Sequence, residues 1–168
     1  VTWGSVNGGD SSAVSSALSS GVSEIFSTQG AFAALKSDGA VVTWGNWTYG
    51  GNSSAVSSAL SSGVSRISSN RLGHAFAALK NDGSVVTWGD SSHGGNSSAV
   101  SSALSSGVSE IYSTHKAFAA LKNDGSVVTW GHDYGGGDSS AVSSALSSGV
   151  SRIYSNRYAF AALKNDGS

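Results

Sequence analysis

The side chains of this sequence that are equipped for chemistry fall in two short stretches that recur along the chain. One follows each Thr-Trp-Gly triplet: Ser5-Val6-Asn7, Asn46-Trp47-Thr48-Tyr49, Asp90-Ser91-Ser92-His93 and His132-Asp133-Tyr134. The other precedes each Ala-Phe-Ala-Ala-Leu run: Gln29-Gly30, Arg71-Leu72-Gly73-His74, His115-Lys116 and Arg157-Tyr158. Asp90, Ser92 and His93 have the residue types of a nucleophile–base–orienter triad, but neighbours on one short loop do not line up as such a relay. His93, His132 and Asp133 offer ligand atoms for a divalent metal such as zinc, yet nothing in their spacing fixes a coordination geometry. His93 and His132 are therefore expected to be exposed, with no metal site and no cofactor. Gly pairs stand before the serine tracts, but no Lys follows where a phosphate loop needs one. The chain reads as non-enzymatic. What the two stretches do hold is recognition chemistry: Trp47, Tyr49, Arg71, His74, His93, His115, His132, Tyr134, Arg157 and Tyr158 are aromatic or cationic types suited to a binding surface.

Composition narrows the partner. The net charge is −1 and charged residues are 11% of the 168, so there is no basic patch of the kind nucleic acid requires. No apolar run approaches the roughly 18 residues of a membrane span. With no Cys, a disulfide framework and a thiolate metal site are both excluded. Pro and Met are absent as well, and the missing initiator reads as excision from a longer protein. Low charge, abundant Ser and Gly and no Cys suggest a bacterial secreted or cell-surface setting.

The elements that must position these stretches come in four copies of about 42 residues, a spacing typical of repeat architectures. The copies are 1–40, 41–84, 85–126 and 127–168, and together they make a single repeat domain. Each runs Val-Val-Thr-Trp-Gly, a variable stretch, Gly-Gly-Asp/Asn and the tract Ser-Ser-Ala-Val-Ser-Ser-Ala-Leu-Ser-Ser-Gly-Val-Ser. An Ile, the second variable stretch and Ala-Phe-Ala-Ala-Leu-Lys-Asn/Ser-Asp-Gly complete it. Asp10, Asn52, Asn96 and Asp138 are good N-cap types, and Gly21, Gly63, Gly107 and Gly149 suit a left-handed terminus. Ala13, Val14, Ala17 and Leu18 make a helical stripe. The tract is thus expected to form a short amphipathic helix of about three turns at most, docked on a sheet.

The remainder reads as a three-stranded antiparallel meander. Asn-Asp-Gly is a hairpin turn with Gly supplying the positive φ. Both faces of the Ala-Phe-Ala-Ala-Leu strand are apolar, so each sheet should be covered on both sides. One copy cannot close a core, and neighbours must stack. Tracing the meander puts both variable stretches at one edge of the sheet and the constant Asp-Gly turns at the other. The repeated Trp and Phe are expected in the core. Glu24, Arg66, Glu110 and Arg152 alternate before the Ile, as if adjacent copies faced one another with opposite charge.

The segment Ala75-Phe76-Ala77-Ala78-Leu79-Lys80-Asn81-Asp82-Gly83-Ser84-Val85-Val86-Thr87-Trp88-Gly89 resembles the repeat of the regulator-of-chromosome-condensation family in its bacterial versions. Its Asp-Gly…Trp-Gly hairpin is the diagnostic part. The resemblance implies a mainly β fold with short helices, a β-propeller whose blades are these repeats. Ala-Phe stands where the family has His, and Gly-Gly-Asp/Asn with the serine tract replaces a Gly-Gln-Leu-Gly-like segment. Four copies are too few for the family's seven blades. Two closures follow: a four-bladed ring in which Val1–Gly4 completes the last blade, or a slice of a longer array, either a larger propeller or an open repeat stack. The expected role is a structural or interaction module of a large surface or secreted protein, presenting the variable edge for adhesion to a protein partner. The alternatives are a glycan- or small-molecule-binding propeller, and a fibre subunit that pairs the end strands of identical chains.

Overall fold

The computed structural model describes residues 1–5, 8–70 and 72–168. Val6 and Asn7 of the first variable stretch, and the candidate Arg71, lie outside the described residues. Three sheets are three-stranded antiparallel meanders: β1 (Val22–Ser27), β2 (Ala31–Lys36) and β3 (Val41–Gly45); β4 (Val64–Ser69), β5 (Ala75–Lys80) and β6 (Val85–Gly89); β7 (Val108–Ser113), β8 (Ala117–Lys122) and β9 (Val127–Gly131). The fourth pairs β10 (Val150–Ser155) with β11 (Phe160–Lys164).

The expected hairpin register is present. Phe32, Phe76 and Phe118 stand opposite Trp44, Trp88 and Trp130, and each ring pair stacks at 5.1–5.4 Å. Stacking of this kind adds to the area buried by each ring. Phe76 and Phe118 are fully buried, and β5 and β8 are covered on both faces. Each sheet is closed by its neighbour: Ala31, Ala33 and Leu35 pack with Leu60, Val64, Ile67 and Phe76 of the second sheet, and the next junction repeats the pattern.

At the Asp-Gly edge, backbone joins the copies. Val64 N–H donates to Gly39 O at 3.0 Å, Val108 to Gly83 at 3.0 Å and Val150 to Gly125 at 2.9 Å. Gly39 has φ +80, and a Cβ there would lie 2.8 Å from Gly63 N. That turn requires glycine twice over, for conformation and for room.

The serine tract departs from the expected helix. Each copy makes one 3-10 turn (Ser12–Val14, Ser54–Val56, Ser98–Val100, Ser140–Val142) followed by turns without a continuous α-helical ladder. Other donors take the backbone acceptors that a ladder would use. Ser61 Oγ donates to Ser58 O, and the Lys80 ammonium from β5 reaches Ala59 O and Ser62 O. Serine's competition for local backbone groups weakens a helix that is already too short to be stable alone. The ends behave as expected: Asn52 Oδ1 accepts from Ser54 N at 2.9 Å, and Gly63 has φ +72. Leu60 and Leu104 are buried, so the tract does dock.

The strand-sharing clasp of a four-bladed ring is not formed. Val1–Gly4 has no strand pairing, and Trp3 is 85% exposed, unlike Trp44, Trp88 and Trp130. Val1, Thr2 and Trp3 instead share a shallow pocket with Ile25, Phe32 and Trp44. A Trp of this repeat is buried by the Phe strand of its own sheet, and Trp3 has no such partner among the described residues. β11 correspondingly keeps Ala161, Ala162 and Leu163 exposed and pairs, among the described residues, with β10 alone.

Candidate functional site

Both variable stretches emerge at one edge because the meander has an odd number of strands, and hydrogen bonds tie them together there. Thr28 Oγ1 donates to Tyr49 O at 2.8 Å, and Thr114 Oγ1 to Gly135 O at 2.8 Å. In the second sheet Asn70 takes this place. It is wholly buried, its Nδ2 donates to His93 O at 2.7 Å, and its Oδ1 accepts from Ala75 N at 2.8 Å. Backbone bonds add a second tie, with Asp90 N donating to His74 O at 2.9 Å. Copies are joined along the edge as well, by Gln29 N to Gly73 O and His115 N to Arg157 O.

The candidate residues divide into two groups. Tyr49, His74, His93 and His115 form a ladder of rings: Tyr49 stacks on His74 at 3.9 Å, His74 lies 4.3 Å from His93, and His93 meets His115 edge-on at 5.7 Å. Tyr134, Tyr158 and Arg157 form the second group, with the tyrosine rings 5.5 Å apart and the guanidinium 5.3 Å above the Tyr158 ring. Tyr134 and Tyr158 are exposed, as is Trp47 at 72%, which stands apart from both groups. His132 is exposed but occupied, its Nδ1 accepting from Tyr134 N at 3.1 Å as a cap.

The expected exposure holds for His132 but not for His93. His93 is buried, and His74 and His115 are half-buried, because each ring covers the next. Burial, the neighbouring His74 and the cation of Lys116 hold the His93 imidazole below its ordinary pKa, against the pull of Asp90. Burial, Arg157 and Lys116 do the same for His115. Burial works against the Asp90 carboxylate, but Ser92 and His93 leave its pKa lowered overall.

No triad is built here. Ser92 Oγ donates to Asp90 Oδ1 at 2.7 Å and also lies 3.1 Å from His93 Nδ1. That same Nδ1 is 3.5 Å from Asp90 Oδ2. A relay needs one imidazole nitrogen for the nucleophile and the other for the orienting acid; here a single nitrogen faces both.

No protein-family model matches the chain, and no curated protein matches it. Solved structures do. Human WBSCR16 superposes with a TM-score of 0.53 at 21% identity, over 86% of this chain and 46% of its own. Prp20p from Saccharomyces cerevisiae, the yeast RCC1, gives 0.54 at 18% identity, over 87% of this chain and 42% of its own. The fold is that of the RCC1-like repeat. The likeness is one of architecture, and the chain spans less than half the length of either structure.

Within the RCC1-like frame, several residues matter that the sequence reading passed over. Asn70 stands where the flanking copies have Thr28 and Thr114, and that departure is its signal. The Lys closing each Ala-Phe-Ala-Ala-Leu strand carries no such signal in its type or spacing. It is a clamp on the serine tract, with Lys122 Nζ donating to Ala103 O at 2.8 Å. The alternating charges do pair at one junction, Arg66 to Glu110 at 3.3 Å, on an exposed surface where such a pair contributes little.

Proposed function

We propose that this RCC1-like array is a non-enzymatic interaction module of a larger secreted or cell-surface protein, and that it engages a protein partner through the variable edge. One observation carries the reading. Variable residues from successive copies gather along this edge in two groups, the Tyr49–His74–His93–His115 ladder and the cluster of Arg157, Tyr158 and Tyr134, joined by the backbone bond from His115 N to Arg157 O. Rigid strands hold such groups in place while their composition changes from copy to copy, the usual division between scaffold and recognition loop. Exposed Trp, Tyr and Arg are the side chains that most often anchor an interface. Prp20p, of the same fold, is described with binding to Gsp1p and histones; the near-neutral charge of this chain points away from a histone-like or nucleic-acid partner.

Photo-crosslinking groups placed at Trp47 and Tyr158, against controls at Asn81 and Asn123 on the Asp-Gly edge, test this reading in surface extracts. Discrete adducts confined to the first pair support it. Adducts equal at both edges, or confined to the Asp-Gly edge, overturn it. A glycan array covers the sugar-binding alternative, in which saturable binding would be lost on Trp47→Ala.

A second reading is favoured by the open edge of β11. β5 and β8 are each covered by a Val-Val-Thr-Trp-Gly strand, and the edge of β11 is shaped for another, from a following repeat or a second copy. Sedimentation mass that rises with protein concentration supports self-pairing; a constant monomer mass counts against it.

A further inference from the structure

The second sheet differs from its neighbours in what its two variable stretches bring together. His74 ends the stretch before β5, while Asp90 and His93 bracket the turn after β6. The equivalent positions are Gly30, Asn46 and Tyr49 in the first sheet and Lys116, His132 and Gly135 in the third. His74 Nδ1 lies 3.6 Å from Asp90 Oδ2, and His93 Nδ1 lies 3.5 Å from that same oxygen. One ligand atom from each of the three residues falls within 4.8 Å of the other two.

These separations have a meaning. They exceed the 2.7–3.2 Å of an N–H···O hydrogen bond. Two ligands of a tetrahedral ion held at about 2.0–2.1 Å stand about 3.3 Å apart, so a small turn of the side chains brings all three atoms onto one ion. The carboxylate is oriented for this: Oδ1 is fully engaged by Ser92 N and Ser92 Oγ, both at 2.7 Å, which aims Oδ2 between the two imidazoles. The first ring is oriented too. His74 Nε2 is 3.0 Å from Gln29 Oε1, and in the tautomer that donates there Nδ1 carries the lone pair. Its face is held by Tyr49. Outer partners of this kind are what fix a ligating histidine.

We propose that His74, Asp90 and His93 form a three-ligand site for a zinc-class divalent transition-metal ion, with a fourth position reached from solvent. Two imidazoles and a single carboxylate oxygen suit zinc and its softer neighbours, whereas calcium and magnesium require oxygen-rich shells. The side chains of His74 and Asp90 are 19% and 31% exposed, so the ion has an entry path. The sequence set aside His93, His132 and Asp133 as a metal site, and the cluster that forms among the described residues is a different one. The site does not depend on the edge being a partner surface, since a metal titration needs no partner.

The test uses the whole chain stripped of metal. Zn²⁺ is titrated by calorimetry, and Co²⁺ serves as a visible-absorption probe of tetrahedral coordination. The expected result is one ion per chain, with ligand-field bands of a tetrahedral Co²⁺ site. His74→Gln and Asp90→Asn should each weaken Zn²⁺ at least about tenfold while the metal-free circular dichroism stays unchanged; losing a ligand should cost no less than losing an outer partner. Gln29→Ala should weaken it less. His74→Gln alters a half-exposed side chain and remains decisive if Asp90→Asn folds poorly. Absence of saturable Zn²⁺ binding, or affinity unchanged in His74→Gln, overturns the proposal.

Discussion

The two edges of each sheet are fastened in different ways. At the Asp-Gly edge, copies meet through backbone: Val64 to Gly39, Val108 to Gly83, Val150 to Gly125, each at 2.9–3.0 Å. At the opposite edge copies also meet through backbone, Gln29 N to Gly73 O and His115 N to Arg157 O, but side chains fasten the two variable stretches of each sheet to one another, Thr28 and Thr114 through a hydroxyl and Asn70 through an amide. At the Asp-Gly edge the closest point of the joint has no room for a side chain, so Gly39, Gly83 and Gly125 recur there. A side-chain joint accepts any group of suitable reach, which leaves its neighbours open to change. The constant glycine at one edge and the variety at the other therefore follow from how much room each fastening leaves.

The largest effect should come from the interior that both edges share. Phe118→Ala removes a fully buried ring and should cost about 3–5 kcal/mol in urea unfolding. Phe32→Ala, at a partly exposed position, should cost less. Next comes the constant edge itself. Gly39→Ala should cost about 1–3 kcal/mol, since it combines positive φ with a 2.8 Å approach to Gly63 N. Gly167→Ala has a similar φ and nothing within 4 Å, so it isolates the conformational part; equal losses at the two positions would break the contrast.

Smaller still is the clamp on the serine tract. Lys122→Met keeps the aliphatic stem but removes the donor to Ala103 O, and a loss of about 1 kcal/mol is expected in the same assay. On the variable edge, Trp47→Ala and Tyr134→Ala should change stability by no more than about 0.5 kcal/mol, because both side chains are largely in solvent. A larger loss at either would mean that the edge is structural after all.

The weakest effect is that of pH. His93 and His115 titrate below the ordinary histidine value in the fold, chiefly through burial. Below about pH 6.5 the unfolded chain therefore binds more protons than the folded one. Stability should be full above that pH and decline as pH falls through the window. Melting temperatures in chelated buffer check this, and His115→Asn should flatten the decline.

Much of this was legible in the sequence because it is local. The Asp-Gly turn, the Phe strand and the Trp strand lie within about 15 residues, and their pairing needs only turn chemistry and alternation. The serine tract misled because its apolar spacing satisfies a helix while its serines and a distant lysine offer the backbone other partners. Trp3 misled because its triplet is identical to three buried ones, and burial belongs to what packs against a side chain rather than to the side chain.

By itself, then, the sequence determined the four-copy period, the hairpin register, the glycine turns and the segregation of variable residues to one edge. All of these depend on contacts between near neighbours in the chain. Tertiary structure alone decided that His74 meets Asp90 and His93, that three histidines are covered by neighbouring rings, and that Val1–Gly4 leaves the outer edge of β11 without a strand among the described residues. Those outcomes depend on where separate loops and sheets come to rest, which is set by close packing across the whole array and is not encoded in any one stretch.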